Sequence, residues 1–235
     1  MKRTNTFVVN RLDLLRIIDS VAKATREDEP LITEYDTLAG DGDCGETLLN
    51  GISGKRTECF QSISTNTCPG LVSEAQNFRD DAIDIVYFFR KTATVAERNM
   101  GGTSGAIYAI FLNAVASSLD QLSKSQVTTS MADLLSMAMQ QGLAQLYQYT
   151  AAREGHRTLM DALIPFVKTF AETKNIVHAS KAAKVGAEKT KSMAALLGRA
   201  SYVGQERFSE QGGIPDPGAL GVVSILIGIQ TGLSV

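Results

Sequence analysis

A chain of 235 residues, 44% of them hydrophobic, can bury a sizeable core as one domain, or at most as two small ones. Its 23 Lys and Arg against 25 Asp and Glu leave a net charge of −2, which excludes the basic footprint of a nucleic-acid binder. Met1-Lys2-Arg3-Thr4 opens no signal-peptide pattern and no long apolar stretch runs uninterrupted, so a cytoplasmic protein without a membrane span is expected.

From Asn10, a plausible N-cap, Leu12, Leu15, Ile18 and Val21/Ala22 recur at helical spacing. The segment Asp36-Thr-Leu-Ala-Gly-Asp-Gly-Asp-Cys-Gly-Glu-Thr47 follows, with three carboxylates (Asp36, Asp41, Asp43) among three glycines. A second apolar helix then carries Leu48, Leu49, Ile52, Cys59 and Phe60, and residues 64–70 are a turn-rich break. The pattern predicts one long helix over about 71–98. After it come Gly101-Gly102-Thr103-Ser104-Gly105-Ala106 and a further apolar helix. Thr129 or Ser130 can cap the helix of Leu134, Leu135, Ala138, Leu143 and Leu146, with Met131, Met137 and Met139 as core filler. Gly155-His156-Arg157-Thr158 opens a helix through Pro165, and a basic, Ala-rich helix covers about 180–197. Residues 198–219 form the longest non-periodic stretch. Asp216-Pro217-Gly218 reads as cap and first turn of a last, buried helix to Leu233.

No strand series and no repeat is visible, so the expected fold is all-α, a bundle-like antiparallel array with short loops. The polar, glycine-bearing segments at 36–47, 101–105, 155–158 and 198–218 all fall at helix boundaries. In an up-and-down array, loops separated by an even number of helices emerge at one end.

Three crowded carboxylates repel unless a cation neutralises them, and Mg²⁺ or Ca²⁺ prefer all-oxygen ligands. The same residues would also serve a solvated turn. Gly101 to Gly105 can form an anion cradle at a helix N-terminus, with Thr103 and Ser104 as hydroxyl donors, although tight helix packing is the commoner reason for such a segment taken alone. It is not a Walker A loop. Arg207 could clamp a phosphate bidentately. The three cysteines, Cys44, Cys59 and Cys68, have no metal-ligand spacing, their odd number argues against a disulfide framework, and neither His156 nor His178 sits in a nucleophile motif. Carboxylates, anion cradle and arginine together suit a metal–polyphosphate, which is most of what phosphoryl transfer requires.

Asp36-x₄-Asp41-Gly-Asp43-Cys-Gly45, Gly101-Gly-Thr-Ser-Gly105, Gly155-His-Arg-Thr-Leu-Met-Asp-Ala-Leu163 and Gly198-Arg-Ala-Ser-Tyr-Val-Gly-x-x-Arg207…Asp216-Pro-Gly-Ala219 resemble, in order, the nucleotide-binding L domain of dihydroxyacetone kinases. Cys44 resembles the ATP-dependent, eukaryotic-type enzymes; the bacterial phosphotransferase-linked subunits usually have histidine there. The resemblance implies an eight-helix antiparallel barrel that binds ATP or ADP with two Mg²⁺ ions in the loops at one end. On that basis Asp36, Asp41 and Asp43 would ligate the metals. Cys44, Gly45, Glu46 and Thr47 would line the nucleotide, Thr103 and Ser104 would hold phosphates, and Leu159 would pack near the adenine. Arg207 would act catalytically on the phosphates, and Asp216, Pro217 and Gly218 would close the pocket. Thr150 falls where the family often has a small residue, and no contact is carried over there.

The family's substrate-binding domain, which holds dihydroxyacetone covalently through a histidine, has no counterpart here. Residues 1–235 are therefore expected to be a single nucleotide-binding domain. It would serve a kinase whose triose acceptor sits on a fused or separate partner, with room for a dimer and with no nucleic-acid or membrane partner. A non-catalytic nucleotide-binding regulatory module, and a phosphoryl donor to a fatty acid, are the alternatives.

Overall fold

Asn10 does cap the first helix: its side chain accepts from the N–H groups of Leu12 and Asp13. The computed structural model describes residues 7–56, 67–124, 130–203 and 213–234. Just before the cap, β1 (Val8–Asn10) pairs antiparallel with β4 (Ala82–Asp84), so a short two-stranded clasp ties the start of the chain to the middle. Helix α1 runs from Arg11 to Ala39, through Pro30. Proline removes one backbone donor, and packing of α1 on its neighbours holds the helix through it. Its buried side is Leu14, Ile18, Val21, Ala22, Thr25 and Ile32, whereas Leu12 is 70% exposed, against the expected stripe. Because α1 is so long, Asp36 sits in its last turn and not in a loop.

Helix α2 (Cys44–Ser53) ends earlier than the apolar pattern predicts, since Gly54 (φ +96°) turns the chain into β2 (Gly54–Arg56), paired with β3 (Thr67–Pro69). Cys59 and Phe60 lie outside the described residues. The single helix expected over 71–98 is two: α3 (Leu71–Gln76) and α4 (Ile85–Asn99). The break is chemical, because Asp84 accepts from the N–H groups of Val86 and Tyr87 and so restarts the helix. Then come α5 (Gly102–Lys124), α6 (Met131–Leu146, capped by Ser130) and α7 (Met160–Thr173). Helix α8 spans Ile176–Lys189, not 180–197, because Asn175 caps it early and 3₁₀ turns follow at Thr190–Ser192 and Arg199–Tyr202. The last helix, α9 (Pro217–Leu233), begins at the Asp216 cap with proline at its first position, as predicted. Met131 and Met139 pack on the core, but Met137 is 41% exposed and fills nothing.

The fold is all-α. Among the described residues, α1, α2 and α4 to α9 pack in chain order, each on the next, and α9 returns to α1, so eight helices close a ring; α3 packs against α1, α2 and α4. The main core belongs to α5 to α9, with Val115, Leu119, Leu134, Leu146, Met160, Ile164, Val167 and Ala219 at its centre. Closure is antiparallel and tight. A Cβ at Gly228 would stand 2.4 Å from Val21 Cα, and one at Gly232 would stand 2.6 Å from Ile17 Cα. Among the described residues α5 alone is long and apolar enough to cross a membrane; here it is a ring member, packed between α4 and α6. This up-and-down order puts the end of α1, the start of α5, the 155–158 turn and the start of α9 on one rim.

Candidate functional site

The end of α1 and the start of α2 share a carboxylate. Asp36 Oδ2 accepts from the backbone N–H groups of Asp43 (2.9 Å) and Cys44 (3.0 Å), and so caps α2, whose own N-cap Asp43 makes no side-chain cap. Gly42 (φ +79°) supplies the left-handed residue this reversal requires. One carboxylate oxygen from each of Asp36, Asp41 and Asp43 then lies within 4.8 Å of the others. Partial burial, followed by the charges of Asp41 and Asp36, pushes the Asp43 carboxyl above its ordinary value, and Arg199 pulls the other way. Arg199 Nη1 stands 2.9 Å from Asp41 Oδ2. Converging all-oxygen donors with mutual repulsion fit a hard divalent cation.

Cys44 lies half-buried beside this turn. Burial first, then Asp36, Asp216, Asp43 and Asp41, push its thiol up to about 12, so it is neither a nucleophile nor a thiolate ligand at neutral pH. Gly45 has a packing reason, since a Cβ there would stand 2.4 Å from Thr33 Oγ1 and 2.7 Å from the Glu29 carbonyl oxygen. Glu46 is exposed and Thr47 half-buried on the first turn of α2.

Helix α5 supplies the second wall. Of the glycines at its start, Gly105 is pressed onto Met100, where a Cβ would be 2.2 Å from the carbonyl oxygen. Gly101 and Gly102 (φ +64°) face open space, and a Cβ at either would meet nothing among the described residues. Thr103 is exposed and Ser104 half-buried in the first turn, where backbone N–H groups lack helical partners. Met100 packs against Gly51 in the last turn of α2, which ties the glycine loop to that helix. Tyr108 follows Ser104 by one turn on the same face. Burial raises its phenol, and the charges of Cys44 and Asp216 raise it further, which places this face of α5 toward both.

The third wall joins the 155–158 turn to the start of α9. Asp161 accepts from the N–H groups of Gly155 and Thr158 (2.8 Å to Thr158), which closes the capping-box spacing Thr158-Leu-Met-Asp161. Arg157, 1% exposed and left-handed (φ +58°), donates from Nη2 to the Ile214 carbonyl 3.1 Å away. Asp216 donates its N–H to Thr190 Oγ1 (2.7 Å) and accepts from the Ala219 N–H through Oδ1 (2.8 Å). Burial pushes the Asp216 carboxyl up to about 7; the Ala219 hydrogen bond and Arg157 oppose this, while Asp161 and Asp36 add to it. Leu159 and Pro217 are buried, and a Cβ at Gly218 would stand 3.2 Å from Leu159 Cβ.

The DAK2 domain matches residues 38–231. The chain belongs to the DAK2 domain family. It is 42% identical over 218 residues to a dihydroxyacetone kinase of Komagataella pastoris, covering 91% of this chain and 33% of that protein. The native dihydroxyacetone kinase of C. freundii superposes with a TM-score of 0.65 at 25% identity, over 95% of this chain and 35% of that one. The same enzyme in complex with AMP-PNP and Mg²⁺ gives 0.63 at 24% identity, over 98% and 36%. This DAK2 domain thus spans about a third of the length of the proteins it matches.

The structure brings together Asp36, Asp41, Asp43 and Cys44, with Asp216 in electrostatic reach, and sets Leu159 against Gly218. Thr103 and Ser104 stand on a separate wall. Arg207 lies outside the described residues. Sequence reasoning assigned no role to Arg199, Arg157, Asp161, Thr190 or Tyr108. The capping-box spacing signals Asp161, and the helical offset from Ser104 signals Tyr108. Nothing local marks Arg199 or Thr190, whose partners are remote in the chain.

Proposed function

We propose that this DAK2 domain binds Mg–ATP and is the phosphoryl-donor half of a dihydroxyacetone (glycerone) kinase, a transferase acting on a triose. The observation that carries the reading is the convergence of Asp36, Asp41 and Asp43 on a turn that one of them also caps. The likeness to named dihydroxyacetone kinases, and the AMP-PNP and Mg²⁺ bound in the C. freundii complex, support it. On this reading Asp36, Asp41 and Asp43 hold two Mg²⁺ ions, which supply charge neutralisation to the phosphates.

Thr103, Ser104 and the free N–H groups after Gly101 and Gly102 receive phosphate oxygens at the start of α5. Leu159, Pro217 and Gly218 offer an apolar wall to the base, and Cys44, Gly45, Glu46 and Thr47 line the tail from α2. Arg207 stabilises charge on the transferred group. Residues 1–235 form one nucleotide-binding unit, and the triose is held by a separate domain or subunit, in the cytoplasm. The test is transfer of γ-phosphate to dihydroxyacetone, with and without an added substrate-binding domain. Transfer is expected only with it. Binding of Mg–ATP that survives Asp43→Ala, measured by calorimetry, overturns the reading.

A further inference from the structure

Arg199 is delivered to the acidic turn by a built device. Gly198 (φ +73°) turns the chain into the 3₁₀ segment Arg199–Tyr202, and Ser201 fixes that turn by donating to the Gly198 carbonyl at 2.7 Å. Ala200, 9% exposed, is buried with Ala39 and Ile214, so the residue next to Arg199 is packed against the end of α1. The guanidinium therefore meets Asp41 Oδ2 at 2.9 Å from an anchored backbone, although its side chain is 70% exposed.

We propose that Arg199 is an internal competitor for the divalent cation at Asp41, and that it makes metal uptake depend on bound polyphosphate. This rests on the metal–nucleotide reading above. The oxygen that Arg199 occupies belongs to one of the three carboxylates that converge on the metal position, and two cations cannot share it without repulsion. Without nucleotide, the guanidinium neutralises Asp41 and holds down the negative potential that attracts metal. When a polyphosphate arrives, its oxygens offer the guanidinium a bidentate partner, and Asp41 is released to the cation. Metal and nucleotide then promote each other's binding, by the reciprocity that any such coupling obeys.

The experiment measures Mn²⁺ binding to the intact chain by electron paramagnetic resonance, without nucleotide and then with AMP-PNP. Arg199→Gln is expected to bind Mn²⁺ about two- to fivefold more tightly than wild type without nucleotide, the range open to an exposed ion pair. The gain in Mn²⁺ affinity on adding AMP-PNP shrinks correspondingly. Arg199→Lys, which keeps the charge, stays near wild type; a loop-holding role for the guanidinium would make Lys behave as Gln does. Unchanged or weaker Mn²⁺ binding by Arg199→Gln, or a lysine variant indistinguishable from it, overturns the proposal and leaves the metal reading standing. Equal Mn²⁺ binding by wild type and Asp43→Asn overturns the metal reading itself.

Discussion

Glycines do opposite work at the seam of the ring and at its rim. Along the seams between helices, Gly228 and Gly232 let α9 approach α1 and Gly186 lets α8 approach α7: a Cβ at Gly186 would stand 1.9 Å from the Asp161 carbonyl oxygen. At the rim, Gly101, Gly102, Gly155 and Gly198 face space that no described residue fills. Glycine at the seam is explained by the fold. At the rim, positive φ accounts for Gly102, Gly155 and Gly198, but Gly101 has neither a described neighbour nor a left-handed backbone to require it. What it leaves room for is something other than the packed ring.

Substitutions can break this contrast. The largest effect expected is at the acidic turn, where Asp43→Ala abolishes calorimetric Mg–ATP binding while thermal unfolding changes little, since Asp43 makes no side-chain cap. Asp36→Ala loses binding and stability together, because two N–H groups of α2 lose their acceptor, at about 1 kcal/mol. Gly228→Ala comes next: forcing a methyl against Val21 is expected to cost about 1–3 kcal/mol in denaturant unfolding and to leave nucleotide affinity of the folded protein unchanged. Gly101→Ala is its mirror, with stability within about 0.5 kcal/mol of wild type and weaker nucleotide binding. A Gly101→Ala protein that binds Mg–ATP normally removes the rim half of the comparison.

Two smaller effects are read by pH and by reagent. Asp216 titrates near 7 when folded, above the ordinary carboxylate value of 3.8, because burial disfavours its charge. The folded state therefore holds the extra proton between those values, and stability falls as pH rises from about 4 to about 7. Asp216→Asn keeps an acceptor for the Ala219 N–H and removes this slope, as urea midpoints at pH 5 and 7 will register. Cys44, its thiol held near 12, is expected to react with iodoacetamide at pH 8 far more slowly than a free thiol. Rapid alkylation of Cys44 would mean that burial and the four carboxylates do not protect it.

What could be read from sequence was local. Asn10, Ser130 and Asp216 cap the helices they precede, the apolar periods of α5, α6 and α7 fall where they should, and the carboxylate spacing singles out the acidic turn. Elements failed where a distant partner overrode local preference. Helix α1 continues through Pro30 because α2 and α9 hold it, and the break between α3 and α4 joins the Asp84 cap to a clasp between β1 and β4, which lie far apart in the chain. The same limit applies to the site. Asp36 reads as a loop ligand until α1 is seen to continue to it, and Arg199 acquires meaning only when Ala200 is found buried on Ala39.

Asp36 faces two ways, and this has an engineering consequence. One of its oxygens is committed to starting α2, and the carboxylate that reaches the shared point is fixed by the register between two helices. A peptide copied from residues 36–47, or the same twelve residues grafted into a foreign loop, would carry every acidic group yet lack the frame that aims them. Transplanting the chemistry means transplanting the helix pair.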